Sequence, residues 1–126
     1  MDLQKYFAEH TGFGVLSTAD EHGRVNAAVY ARPHCFEDGT VGFIMPDRLT
    51  HANLQSNGRA AYLFRQDAEA EGRRYVGVRL YLKKVGESDD QQQIAKLRRP
   101  APTGDGTDRH LVIFEVDEQL PLIGTE

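Results

Sequence analysis

The sequence predicts an α+β fold: a barrel of six mainly antiparallel strands with two or three short helices. Three observations predict it. Runs of alternating apolar residues recur along the chain between turn-forming clusters. Helical spacing is confined to short segments. One stretch, Val41 to Phe64, reads in order as strand, tight turn, short helix and strand.

Each element follows from local pattern. Leu3, Tyr6, Phe7 and His10 fall at helical spacing, so Asp2 to His10 is expected to be an amphipathic helix stopped near Gly12. Phe13 to Thr18 is a first strand, and Asp20-Glu21-His22-Gly23 a turn. Arg24 to Phe36 alternates as one long second strand, with Pro33 marking a bend or an edge. After the Glu37-Asp38-Gly39 turn, Val41, Phe43 and Met45 alternate with Gly42 and Ile44, as in a strand mostly buried on both faces. Pro46 and Asp47 end it. Thr50 is the expected N-cap of a short helix that Ala52, Leu54 and Gln55 suit. Asn57-Gly58 would close that helix with residues tolerant of the left-handed conformation.

Ala60 to Phe64 resumes strand character, and Asp67 to Arg73 is a polar loop. Tyr75 to Val85 is the fifth strand, with Val76, Val78, Leu80 and Leu82 on one face and Tyr75, Arg79, Tyr81 and Lys83 on the other. Ser88 is expected to cap a third helix, with Asp89 and Asp90 in its first turn and Pro100 at its end. Pro100 to Asp108 reads as a loop and His110 to Val116 as the last strand.

Composition narrows the function classes. The 126 residues fit one domain, 1–126, and show no repeat or linker. With 40% hydrophobic residues and no tryptophan, a partner surface is expected to complete the core. Fifteen basic against nineteen acidic residues give −4, without a block of like charge, which argues against nucleic acid as a partner. Cys35 is the single cysteine, so no intrachain disulfide can form and a reducing cytoplasm is expected. The amino end, MDLQKYFAEH, is too polar for a signal peptide, and no apolar run approaches membrane-spanning length.

Among chemistry-bearing residues, Arg48 and Thr50 at a helix start stand out. A helix N-terminus offers unpaired N–H groups and a positive dipole end, and Arg48 adds a forked donor that suits phosphate. The plainer alternative is a capped connector carrying a solvated arginine. His34 and Cys35 are neighbours on a strand and point to opposite faces, so no Cys-His dyad is expected. The five histidines, His10, His22, His34, His51 and His110, show no metal-ligand spacing, and no metal site is expected from it. The row Tyr75, Arg79, Tyr81 and Lys83 is either a solvated barrel face or one turned toward a partner subunit or substrate. Arg98-Arg99 complements a helix dipole or, alternatively, binds an acidic substrate.

The order GFGVLSTADEHGRVNAAVYARPHCFEDGTVGFIMPDRLTHANLQSNGRAAYLF resembles the FMN-binding split barrel of the pyridoxamine phosphate oxidase-like family. Leu16-Ser17-Thr18, Gly23-Arg24-Val25-Asn26, Thr50, Asn53-Leu54 and Asn57-Gly58-Arg59 stand at the matching places. The resemblance implies FMN held in a groove between two subunits of a homodimer. By position, Val25, Asn26, Ala27 and Ala28 would line one edge of the isoalloxazine. Backbone groups of Phe43, Ile44 and Met45 would meet its pyrimidine side. Arg48, Leu49, Thr50 and Asn53 would seat the phosphate. Many relatives carry a lysine where Thr50 stands and a serine near Arg48, so cation and hydroxyl are exchanged here.

The implied function is a small FMN-dependent oxidoreductase, with no catalytic residue identifiable. A non-catalytic FMN-binding redox carrier is the alternative, followed by a haem- or deazaflavin-binding relative. Haem would want an axial ligand that no histidine is marked out to supply. True pyridoxamine phosphate oxidases end in a basic substrate-binding segment, whereas this chain ends in the acidic DEQLPLIGTE, which argues against vitamin B6 oxidation.

Overall fold

The computed structural model describes residues 1–67, 75–98 and 108–124. Along the chain run α1 (Leu3–Glu9), β1 (Gly12–Ala19), β2 (Val25–Val29), β3 (His34–Cys35), β4 (Val41–Met45) and α2 (Leu49–Ser56). They are followed by β5 (Arg59–Gln66), β6 (Gly77–Ser88), α3 (Gln91–Leu97) and β7 (His110–Pro121). The strands form one antiparallel seven-stranded sheet in the order β2-β1-β5-β6-β7-β4-β3, curled as a half-barrel.

Its concave side packs Leu16, Tyr62, Phe64, Leu80, Leu82, Phe43 and Phe114 into one apolar cluster, which α1 closes with Leu3 and Phe7. Alternation decides which side chains enter it: on β6, Val78, Leu80 and Leu82 are buried while Tyr81 and Lys83 are exposed, as the sequence pattern predicts. The same cluster gives β4 its burial, with Val41, Phe43 and Met45 all facing inward.

The strand count is seven, not six, because the expected strand over Arg24 to Phe36 breaks in two. β2 ends at Val29 and pairs with β1, whereas β3 pairs with β4 at the other edge of the sheet. Between them Tyr30 N donates to Gly14 O at 3.0 Å, and Pro33, which has no N–H to offer a ladder, is buried. Arg32 Nη1 donates to the carbonyls of Phe7 (2.6 Å) and His10 (3.0 Å), fastening this crossing to the end of α1. β7 runs five residues past the expected Val116, to Pro121. It follows β6 across two register shifts, at Tyr81/Leu82 and Lys84/Gly86.

Two expected caps move. Arg48, not Thr50, holds the N-cap position of α2 and makes no side-chain cap bond, while Thr50 is buried one residue inside the first turn. Asp90, not Ser88, caps α3 by accepting from the N–H groups of Gln92 and Gln93. Ser88 instead accepts from Asp90 N at 3.2 Å. Asn57 is extended, with φ −142°, rather than left-handed, and its side-chain oxygen accepts from Arg59 N. The expected loops over Asp67–Arg73 and Pro100–Asp108, and the end of the third helix at Pro100, fall almost wholly outside the described residues. Among the described residues, no helix is long and apolar enough to cross a membrane.

Candidate functional site

The β4–α2 turn brings the sequence-predicted residues together. Pro46 stops β4, Arg48 N donates to Pro46 O at 2.9 Å, and Ala52 N donates to Arg48 O at 3.0 Å, so the backbone sets the helix start by itself. No side chain caps it, which leaves the first-turn N–H groups of Leu49, Thr50 and His51 without an intrahelical acceptor. Arg48 stands exposed over this turn.

Beneath it lies Tyr30, at the end of β2, whose phenol hydrogen-bonds with the Thr50 side chain. Burial pushes the Tyr30 pKa up, while that bond and the positive charges of Arg48 and Arg109 pull the other way without cancelling the rise. Two guanidinium groups therefore act on one half-buried phenol at a helix N-terminus, an electrostatic setting that favours an anion. The sequence reading did not include Tyr30 or Arg109. Tyr30 follows the end of β2, inside the single strand that alternation predicts, and Arg109 directly precedes β7.

Beside the turn, Asp20, Arg24, Val25, Asn26, Leu49 and Asn53 line a cleft of about 140 Å³. Four of the expected cofactor residues thus meet in one place. Asn53 is buried and donates through Nδ2 to Thr18 Oγ1 at 3.1 Å, which fixes α2 against β1. Val25 and Leu49 are 78% and 55% exposed, so the mouth of the cleft is apolar and open.

The other expected residues lie on β2 and, toward the opposite end of the sheet, on β4. Ala27 shares the exposed face of β2 with Val25 and Val29, whereas Asn26 and Ala28 are half-buried on its other face. Phe43 and Met45 send their side chains into the core, and Ile44 is half-buried. β3 pairs only with Val41 and Gly42, leaving the Phe43–Met45 edge of β4 outside that ladder. His34 and Cys35 are consecutive on β3. In the row on β6, Arg79 donates to Pro121 O at 3.0 Å and to Gly124 O, holding the carboxy-terminal segment.

A second polar group lies on the far side of α2. His51 and His110 stack with ring centroids 3.8 Å apart and an interplanar angle of 9°, surrounded by Asp47, Glu87 and Asp89. Burial alone would raise the Glu87 pKa, but hydrogen bonds from His51, Gln55 and Lys84 outweigh it and hold the carboxyl down at about 2.

Solved structures share this fold. An FMN-binding protein from Syntrophomonas wolfei subsp. wolfei superposes with a TM-score of 0.79 at 18% identity, over 98% of this chain and 86% of that one. A Clostridium acetobutylicum protein related to general stress protein 26, of the pyridoxinephosphate oxidase family, gives 0.68 at 14% identity, over 97% and 87%. The styrene monooxygenase flavin reductase of Pseudomonas putida S12 gives 0.58 at 14% identity, over 94% and 83%. No protein-family model matches the chain, and no curated protein matches it in sequence.

Proposed function

We propose that this protein is an FMN-binding flavoprotein of the pyridoxamine phosphate oxidase-like split-barrel family, acting as a small homodimeric oxidoreductase. The observation that carries the reading is the meeting of Val25, Asn26, Leu49 and Asn53 in one cleft beside an uncapped helix start flanked by Arg48 and Arg109. It supports FMN because one end offers N–H donors and two cations to a phosphate, while the other offers an apolar strand edge to a ring system. The similar fold of an FMN-binding protein and of a flavin reductase supports it further.

When bound, the isoalloxazine would supply hydride or single-electron transfer. In this reading Arg48, Leu49 and Thr50 hold the phosphate, Arg109 adds charge to that seat, and Thr50 and Tyr30 fix one another. Val25, Asn26, Ala27 and Ala28 border the ring, with backbone groups of Phe43, Ile44 and Met45 at its polar side. Asn53 acts through Thr18, setting the roll of α2 and therefore the aim of its N–H groups.

A cleft of about 140 Å³ is small for the whole cofactor. A second copy is the natural cover, because the outer face of β2, β1 and β5 carries an apolar patch at its centre. Val29, Val15 and Leu63 lie in register across it, beside a row of small residues, Ala27, Ser17 and Ala61.

The test is the visible spectrum of the purified protein, before and after incubation with FMN, followed by identification of the released cofactor. Bound FMN supports the reading. A colourless protein that takes up no FMN overturns it. Turnover of reduced nicotinamide with a panel of acceptors then separates an oxidoreductase, which turns over, from a carrier, which does not.

A further inference from the structure

We propose that His110, Glu87 and Asp89 form a binding site for a divalent first-row transition-metal ion, independent of the flavin site. Their three donor atoms all lie within 4.8 Å of one another. His110 Nδ1 is 2.6 Å from Asp89 Oδ1 and 3.9 Å from Glu87 Oε2. Donors bound about 2.0–2.2 Å from an ion sit roughly 3–3.5 Å apart, so small side-chain adjustments bring these three into coordination. The spacing of histidines in the sequence conceals the site, because its ligands come from the end of β6, the residue after it and the first residue of β7.

The surrounding groups orient the ligands. Gln55 Nε2 and Lys84 Nζ bind Glu87 Oε1 at 2.9 and 3.1 Å, leaving Oε2 turned to the imidazoles. His51 Nε2 meets that Oε2 at 3.0 Å, and its Nδ1 lies 3.4 Å from Asp47. Because the His51 and His110 rings are parallel, 9° apart, their in-plane lone pairs cannot converge on one ion. His110 therefore supplies the nitrogen, and His51 serves as a partner that fixes Glu87.

Charge and donor type define the ion. The carboxylates of Asp47, Glu87 and Asp89 outnumber the one ammonium, Lys84, that pairs with them, an acidic setting that a divalent ion offsets. One imidazole with two carboxylates suits Zn²⁺, Co²⁺, Mn²⁺ or Fe²⁺, and the imidazole disfavours Mg²⁺ and Ca²⁺. The Asp89 side chain, 64% exposed, gives the ion an approach and leaves room for water ligands.

The experiment titrates the metal-free full-length chain with Co²⁺ in excess Mg²⁺, reading the visible d–d absorption, and then displaces it with Zn²⁺. One ion per chain is expected, lost in His110→Ala and in Asp89→Asn. Asp89→Asn, at an exposed position, controls for misfolding, with circular dichroism run on every variant. Gln55→Ala should weaken Co²⁺ ten- to a hundredfold, as loss of an orienting partner does. His22→Ala, at a side chain 83% exposed and outside the cluster, should leave binding unchanged. Failure of the wild type to bind Co²⁺ or Zn²⁺ would mean an ion-pair network only, and would overturn the proposal. Undiminished binding in folded His110→Ala would overturn it too, by placing the ion elsewhere.

Discussion

Replacing Arg48 by alanine isolates the electrostatic part of the proposed phosphate seat. The structure makes the substitution clean: Arg48 makes no side-chain cap bond, and its backbone N–H and carbonyl, bonded to Pro46 O and Ala52 N, remain in place. A hydrogen bond to a charged partner contributes about 1.5–3 kcal/mol. Arg48 is exposed and screened, so the lower end applies, and a loss of about 1.5 kcal/mol is roughly tenfold in affinity. FMN should therefore bind about tenfold more weakly, while riboflavin, lacking the phosphate, should bind wild type and variant alike.

Flavin fluorescence quenching measures both ligands, at low and high salt, and the difference between proteins should shrink as salt rises. Arg109→Ala should behave similarly, and the double variant should approach a hundredfold if the two charges act on one phosphate independently. Equal weakening of FMN and riboflavin in Arg48→Ala would refute the assignment, because a phosphate contact cannot affect a ligand without one. An unchanged FMN affinity would leave the phosphate to the helix N–H groups, with Arg48 a solvated side chain.

Three further outcomes can be checked. Leu63→Asp puts a charge on the apolar outer face and, in a two-fold dimer, does so twice. At about 2 kcal/mol per copy the dimer should loosen by roughly a thousandfold. Light scattering reads this, and a wild type that is monomeric at micromolar concentration would sink the two-chain groove. Gly14→Ala places a methyl against the Tyr62 phenol and 2.6 Å from Tyr30 O, breaking the Tyr62–Tyr30 hydrogen bond of 3.0 Å. A loss of about 3 kcal/mol, or roughly 10 °C in Tm, should be partly rescued by adding Tyr62→Phe. Finally, the folded Tyr30 phenol has its pKa raised above 10.0, so the fold favours the neutral form. That contribution is complete below pH 10 and is lost as pH rises through the folded value. Alkaline denaturation of wild type should therefore lose more stability in that range than Tyr30→Phe, and equal losses would contradict the burial.

Much of the fold was legible because burial is one-sided and strands alternate. Val78, Leu80 and Leu82, or Leu16 with its half-exposed neighbours, announce their faces without tertiary information. The break at Tyr30–Pro33 was legible only as the bend or edge that Pro33 marks. Alternation continues through it, and only pairing with opposite sheet edges, β1 for β2 and β4 for β3, reveals two strands. The far half of β7 was hidden for the opposite reason: Asp117, Glu118 and Gln119 carry no apolar signal, and the strand persists by pairing with β6. For the candidate site, the local motif singled out Arg48 and Thr50, and the family resemblance added Leu49 and Asn53. Tyr30, Arg109 and the His51–His110 stack depend on contacts between distant segments, which no spacing rule encodes.

The way α2 is docked explains why so much polar chemistry gathers around it. Of its four buried residues, Leu54 alone is apolar, and Thr50, His51 and Asn53 are polar. Each has a partner on a different element: Tyr30 after β2, Glu87 on β6 and Thr18 on β1. Lys84 adds a bond of 3.4 Å to Leu54 O. An apolar face would tolerate rotation of a short helix, since burial is non-directional. Hydrogen bonds contribute only about 1 kcal/mol each, but they fail when the helix rolls. Three such bonds in three directions therefore fix the azimuth of α2, and with it the direction of the uncapped N–H groups of its first turn. Buried polar residues that appear costly for a helix of eight residues are thus what aims the site.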